Sequence, residues 1–337
     1  MKIYPVFIPH AGCPHRCLFC AQDRSTDQSE VPVARDVEHW LDRVLPLHGE
    51  GEIAFYGGTF SLLPLEEQER YLTTARRFVA SGRVAGVRIS TRPDALDEIC
   101  VARLKDSGVT TVEIGCQSFN DSVLNEAGRG HAAAESIAAV QRCLGAGLQV
   151  GVQLMPGLPG GDFEEALISL RQALALKPSF MRIYPTVVIE GTELATLWRS
   201  GEYQAWTLDE TVELCAEMLL LCRQADMPVI RLGLQPDSQL EANLLAGPYH
   251  PAFGQLVRSR LWRRALFYAS THGKQLCVHP NDLSDALGHR GENRLWLAHA
   301  DPQVHVTADK AVERGFLRTA GRDLPLNEWS VQGGHYV

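Results

Sequence analysis

Six times between residues 3 and 225 a short apolar run is followed by a stretch of helical periodicity, at a spacing of about 30 residues. The runs are IYPVFIP (3–9), EIAFY (52–56), GVRIS (86–90), TVEIG (111–115), LQVGVQLM (148–155) and FMRIYPTV (180–187). The helical stretches that follow them lie at 35–45, 65–81, 97–107, 121–126 with 132–145, 162–175 and 209–225. Strand and helix in strict alternation build parallel sheets through right-handed crossovers, so the fold class is α/β. Six units are too few for a closed eight-unit barrel. The expectation is a partial, open (βα)6 barrel, with chemistry gathered at the C-terminal ends of the strands. Cys13, Gly57, Gly58, Ser90, Gln117, Gln153 and Tyr184 all fall at or just beyond such an end.

After residue 228 the pattern loosens. Strands are expected at 229–234, 274–279 and 303–307 and a helix at 254–272. A barrel over 1–230 is therefore expected to carry a C-terminal α+β extension over 231–337, packed on the barrel without a flexible linker and supplying substrate contacts. No apolar run approaches the roughly 18 residues of a membrane span, and the N-terminus lacks a signal-peptide pattern. Nine cysteines, an odd number, without an export signal argue against a disulfide framework. A cytoplasmic protein with no membrane partner is expected. The net charge of -8 excludes a strongly basic nucleic-acid footprint across the whole chain.

The stretch HAGCPHRCLFCAQ (10–22) sets Cys13, Cys17 and Cys20 within eight positions, with no further cysteine until Cys100. One reading is a zinc site completed by His10 or His15, and another is a set of inert thiols. The third is a four-iron cluster held at three corners, its fourth iron open to an exchangeable ligand. Gly12 and Pro14 would turn the loop, and Phe19 would shield the cluster from water. The CxxxCxxC spacing after the first strand of a βα repeat resembles the radical S-adenosylmethionine (SAM) superfamily. FYGGTFSLLP, STRPD, VEIGCQSFND, RGH, MPGLPG and RIYPTVVIEGTELATLW follow in order from 55 to 198. Together these motifs are similar to the radical domain of Elongator catalytic subunits, and more distantly to oxygen-independent coproporphyrinogen oxidases.

That resemblance implies a 4Fe-4S cluster on Cys13, Cys17 and Cys20, with S-adenosylmethionine on the open iron. Reductive cleavage to a 5′-deoxyadenosyl radical would follow, with reduced flavodoxin or a ferredoxin-type protein as electron donor. It implies that Gly57, Gly58 and Thr59 bind the methionine moiety by close backbone approach. Gln117 would meet the ribose, and Arg129 would pair with the methionine carboxylate, for which a guanidinium has the matching fork. Gln153 stands where the porphyrin enzymes carry an acidic ribose ligand. Ser90 stands where relatives carry a glutamate for the cofactor's amino group, and Glu113 is a candidate to compensate. Tyr184 would face the substrate, or serve as a core aromatic. The expected substrate is a tRNA or other RNA nucleoside. A small-molecule or tetrapyrrole-like substrate is the alternative, and a non-enzymatic zinc or cluster protein is the third reading. The last hundred residues carry no recognisable acetyltransferase pattern, so acetyl-CoA is not an expected partner.

Outside the repeat, AGPYHPAFGQLV (246–257) brackets Tyr249 and His250 between two prolines. A stiff structural corner is one reading, and a proton-transfer site at His250 is the other. Arg258, Arg260, Arg263 and Arg264 follow at helical spacing, as a solvated face or a set of phosphate contacts for RNA.

Overall fold

The structure is a computed structural model and describes residues 2–14, 16–21 and 30–326. It divides into two compact units, residues 1–205 with 236–247, and residues 206–235 with 248–337. The division drawn from the sequence at 230/231 does not follow this path.

The first unit carries the repeat: β1 (Ile3–Phe7), α1 (Ala34–Val44), β2 (Glu52–Tyr56), α2 (Leu65–Ala80), β3 (Gly86–Thr91), α3 (Glu98–Asp106), β4 (Val109–Gln117), α4 (Asp121–Glu126), α5 (Ala133–Gly145), β5 (Gln149–Leu154), α6 (Phe163–Ala175) and β6 (Phe180–Ile183). β1 to β6 pair in chain order, every pair parallel, as uninterrupted right-handed crossovers require. The sheet, seven-stranded in all, does not close into a ring, so the arrangement is an open partial barrel with one strand more than the six expected. RIYPTV is not one strand. β6 ends at Ile183, and Val188–Ile189 form a separate β7, because Pro185 cannot donate to the ladder.

The two faces of this sheet differ in chemistry. Ile53, Phe55, Val87, Ile89, Val112, Ile114, Val150, Val152 and Met181 are almost fully buried on the helix-covered face. Alternate positions place Glu52, Arg88, Thr111, Glu113, Gln153 and Arg182 on the other. Arg88 sits at its centre, with 2% of its side chain exposed. It donates to Glu52 Oε2 from Nε and Nη2 at 2.7 and 2.5 Å and to Glu113 Oε1 from Nη1 at 2.5 Å. Side-chain caps start several helices: Asp97 for α3, Asn120 for α4 and Asp162 for α6. Beyond β7, Thr192 likewise caps α7 (Glu193–Ser200).

The second unit opens with α8 (Leu208–Gln224), set by a Thr207–Glu210 capping box, and β8 (Val229–Leu232). The chain then returns to the first unit for α9 (Ser238–Asn243) and β9 (Leu244–Ala246), where β9 pairs antiparallel with β7. The remainder comprises α10 (Phe253–Ser270), β10 (Gln275–Val278), α11 (Leu283–Leu287), α12 (Glu292–Ala300), β11 (His305–Ala308), β12 (Phe316–Thr319) and β13 (Arg322–Pro325). These strands form a mixed sheet in the order β11-β10-β12-β13.

Candidate functional site

The cysteine loop leaves the C-terminal end of β1 and is pinned by main-chain bonds. Ile8 N donates to Tyr56 O at 2.7 Å, and Thr59 N donates to Ala11 O at 2.8 Å. Gly12 has φ +74° and Gly57 has φ +107°, conformations that L side chains avoid. At Gly58 a Cβ would overlap the Ala11 carbonyl oxygen. The loop itself therefore fills the space that Gly58 leaves, so its need for glycine comes from loop packing. Further along, Leu18 N donates to Ala127 O at 3.2 Å, and Leu18 O accepts from Leu194 N at 2.9 Å. Phe19, expected as a water shield, packs between the Val123–Ala127–Leu158 and Val188–Leu194–Tyr203 clusters and anchors the loop.

Cys13, Cys17 and Cys20 are all partly exposed, whereas Cys116, Cys143, Cys215 and Cys222 are buried. Burial pushes the thiols of Cys116, Cys143 and Cys222 up to about 12, so the inert-thiol reading describes those residues. Cys13 Sγ lies 3.3 Å from Thr59 Oγ1. Cys17 Sγ accepts from Arg129 Nη1 at 3.1 Å, while Arg129 Nη2 donates to Gly115 O at 2.6 Å. Arg129 is 5% exposed, and its Nε is buried without a hydrogen-bond partner. Among the described residues no three Cys, His, Asp or Glu side chains converge to hold a single metal ion. His15, one of the two alternative fourth zinc ligands, lies outside the described residues. A thiol-bearing loop at a strand end, faced by a buried cation, fits an anionic cluster.

The residues expected to meet the cofactor occupy neighbouring strand ends. A bulge between Gly115 and Gln117 closes β4, and Gln117 has φ +69° in the left-handed region. Strain of this kind clusters at functional sites. The Gln117 side chain folds over Gly115, where a Cβ would lie 2.8 Å from Gln117 Nε2. Gln153 Nε2 donates to Gln117 Oε1 at 3.1 Å, which joins the two glutamines. Among the described residues, Ser90 Oγ donates to the Phe55 carbonyl alone, at 3.4 Å. Glu113 accepts from Arg88, Arg182 and Tyr56, so its carboxylate is bound within that network rather than available to replace a glutamate at position 90. The Tyr184 hydroxyl bonds Arg182, whose guanidinium lies over the Tyr56 and Tyr184 rings at 5.2 and 5.0 Å.

Two residues of the quoted motifs carry roles that sequence reasoning missed. Arg92, from STRPD, is buried beside Cys17, and Arg92 Nη2 donates to the Arg129 carbonyl. His131, from RGH, is 7% exposed, and burial with the Arg129 charge pushes its pKa down to about 4. The motifs signalled both positions but not their contacts.

In the second unit the expected phosphate contacts are otherwise engaged. Arg260 pairs with Glu213 at 2.6 Å and Asp209 at 2.5 Å, Arg264 with Glu213 and Glu217, and Arg258 with Asp285 at 2.7 Å. Arg263 lies over the Trp296 ring at 4.6 Å. Three of these four cations therefore join α10 to acids on α8 and α11, which corrects the reading of an RNA-facing patch. His250 Nδ1 accepts from Ala252 N at 2.9 Å, which builds the corner before α10. Burial, then His289 and Arg290, lower its pKa, which favours the neutral imidazole, with the ring proton on Nε2.

The Radical SAM superfamily model matches residues 7–173, and the Radical SAM C-terminal domain model matches 178–263. The chain belongs to the radical SAM superfamily of enzymes, whose cofactors are a 4Fe-4S cluster and S-adenosylmethionine. It is 32% identical over 245 residues to a tRNA uridine(34) acetyltransferase of Methanocaldococcus jannaschii, which covers 60% of this chain and 45% of that protein. It is 28% identical over 232 residues to Elongator complex protein 3 of Mus musculus, covering 60% of this chain and 41% of that one. The chain thus spans less than half the length of these relatives. Among solved structures, the Methanocaldococcus infernus Elp3 with an N-terminal deletion matches with a TM-score of 0.61 and 25% identity, over 78% of this chain and 63% of that one. Coproporphyrinogen III oxidase of Escherichia coli shares the fold, with a TM-score of 0.51 and 17% identity over 77% of this chain and 58% of that one. No described helix is long and apolar enough to cross a membrane.

Proposed function

We propose that the chain cleaves S-adenosylmethionine reductively and uses the resulting radical to modify a tRNA nucleoside. One observation carries the radical chemistry: Cys17 lies on a loop at the end of β1, its sulfur 3.1 Å from the buried Arg129 guanidinium. Cys13, Cys17 and Cys20 hold the cluster, and reduced flavodoxin or a ferredoxin-type protein supplies the electron. The bound cluster and cofactor supply one-electron cleavage of a sulfonium carbon–sulfur bond.

The chain's own residues then have defined tasks. Arg129 neutralises charge at Cys17 and directs its remaining donors to a carboxylate. The Gln117–Gln153 pair offers amide donors and acceptors to a ribose. Gly57 allows close backbone approach at the end of β2, the Thr59 hydroxyl lies beside Cys13, and Ser90 offers a neutral hydroxyl. Tyr184, oriented by Arg182, faces the substrate. His250, its Nδ1 lone pair taken by the Ala252 amide, offers Nε2–H to a substrate within the second unit, which supplies substrate contacts.

The tRNA assignment is supported by the relatives named as tRNA uridine(34) acetyltransferases. Acetyl transfer itself is not part of the proposal, and acetyl-CoA is not a proposed partner. The test is a nucleoside inventory of tRNA from a deletion strain and its parent. A modified nucleoside lost on deletion, and restored by the wild-type gene but not by a Cys17→Ser copy, is the expected result. An unchanged inventory would move the substrate to a small molecule.

A further inference from the structure

Arg92 is 5% exposed and belongs to neither the cofactor contacts nor the cysteine loop. Its Nε and Nη2 grip the two carboxylate oxygens of Asp94, each at 2.9 Å. Nη2 also donates to the main-chain carbonyl of Arg129, and Nη1 lies 4.0 Å from Cys17 Sγ. One guanidinium thus joins three segments that meet only in the fold: the end of β3, the turn before α5 and the loop after β1. Asp94 fixes the plane of the fork, and the fork fixes the backbone that carries Arg129. Two guanidiniums therefore face one sulfur, at 3.1 and 4.0 Å.

We propose that Arg92 is a positioning residue for the cluster, holding Arg129 on Cys17 and adding a second positive charge beside that sulfur, which raises the cluster's reduction potential. The inference rests on the cluster assignment to Cys13, Cys17 and Cys20. Hydrogen bonds and charge at the ligand sulfurs set cluster potentials, because they offset the negative charge that reduction adds. Asp94 acts in the opposite sense. Its carboxylate orients Arg92 but cancels part of the charge that Arg92 brings.

The test is an anaerobic redox titration of the reconstituted full chain, read by the electron paramagnetic resonance signal of the reduced cluster, with iron content measured alongside. Arg92→Met retains an unbranched apolar stem without the charge or the donors of the fork. Its expected result is wild-type iron content with the midpoint shifted to more negative potential. Asp94→Asn removes the opposing charge and is expected to shift the midpoint the other way. A merely structural fork is broken by both variants and moves both midpoints together. Shifts of the same sign, or no shift in either, would overturn the proposal. If Arg92→Met fails to hold a cluster, Asp94→Asn decides: a positive shift supports the proposal, and a negative shift or none refutes it. Failure of the wild-type chain to assemble a cluster would instead sink the cysteine assignment, and appears before any variant is compared.

Discussion

Replacing Arg88 by methionine tests what holds the polar face of the barrel sheet together. The substitution retains an unbranched apolar stem but removes three charge-assisted hydrogen bonds, two to Glu52 and one to Glu113. Glu113 keeps Arg182 and the Tyr56 hydroxyl as partners. Glu52 keeps Thr111 Oγ1 at 2.6 Å and Thr110 Oγ1 at 3.4 Å, and no cation. The loss therefore concentrates on Glu52, whose side chain is only 6% exposed. Stranding one charge of a buried pair costs roughly 3–5 kcal/mol. At about 2–4 °C per kcal/mol for a domain of this size, the melting temperature should fall by roughly 6–20 °C. One control separates charge from shape. Pairing Arg88→Met with Glu52→Gln should recover most of the loss, because an amide carries no charge to strand. The assay is thermal unfolding of the single and double variants. A single variant within about 1 kcal/mol of wild type, or a double variant no better than the single, would refute the reasoning.

Gly58→Ala should displace the cysteine loop, since the new Cβ meets the Ala11 backbone; iron content after reconstitution should fall well below wild type, and full iron uptake would contradict the packing argument. His131 titrates at about 4 in the fold against about 6.5 unfolded, so the unfolded chain binds the extra proton between those values. Its stabilising contribution is present above pH 6.5 and is lost as the pH falls toward 4, on the order of 3 kcal/mol in all; His131→Asn should flatten that part of the stability profile in urea unfolding. Changing Arg260 and Arg264 together to Gln should lower stability by roughly 1–2 kcal/mol through lost pairing with α8. The salt dependence of any tRNA binding should stay unchanged, and a reduced salt slope would restore the phosphate reading.

What the sequence disclosed depended on whether a feature was local. EIAFY runs over residues 52–56 as a strand both in the pattern and in the fold, because a buried parallel strand is a continuous apolar run. The cysteine spacing and the glycines after β2 were equally legible as short-range patterns. The hairpin of β12 and β13 escaped notice, since FLRT and RDLP are four residues each and half polar. Its signal was the Ala320–Gly321 pair, both at positive φ, as a tight two-residue hairpin turn demands. Contacts between distant segments left no local trace. Four arginines at helical spacing on α10 read as surface cations, until Asp209, Glu213 and Glu217 on α8 met two of them. The left-handed turn at Gln117 is likewise imposed by tertiary packing, as any pattern favours β4 continuing straight.

The proposed function requires that Cys13, Cys17 and Cys20 hold a cluster at which S-adenosylmethionine is cleaved. The most direct measurement is 5′-deoxyadenosine formed by the anaerobically reconstituted and reduced chain, quantified beside its iron content. About four irons per chain and steady 5′-deoxyadenosine production are expected, both lost in Cys17→Ser while the chain stays folded. Zinc without iron, or a Cys17→Ser chain that still makes 5′-deoxyadenosine, would contradict it.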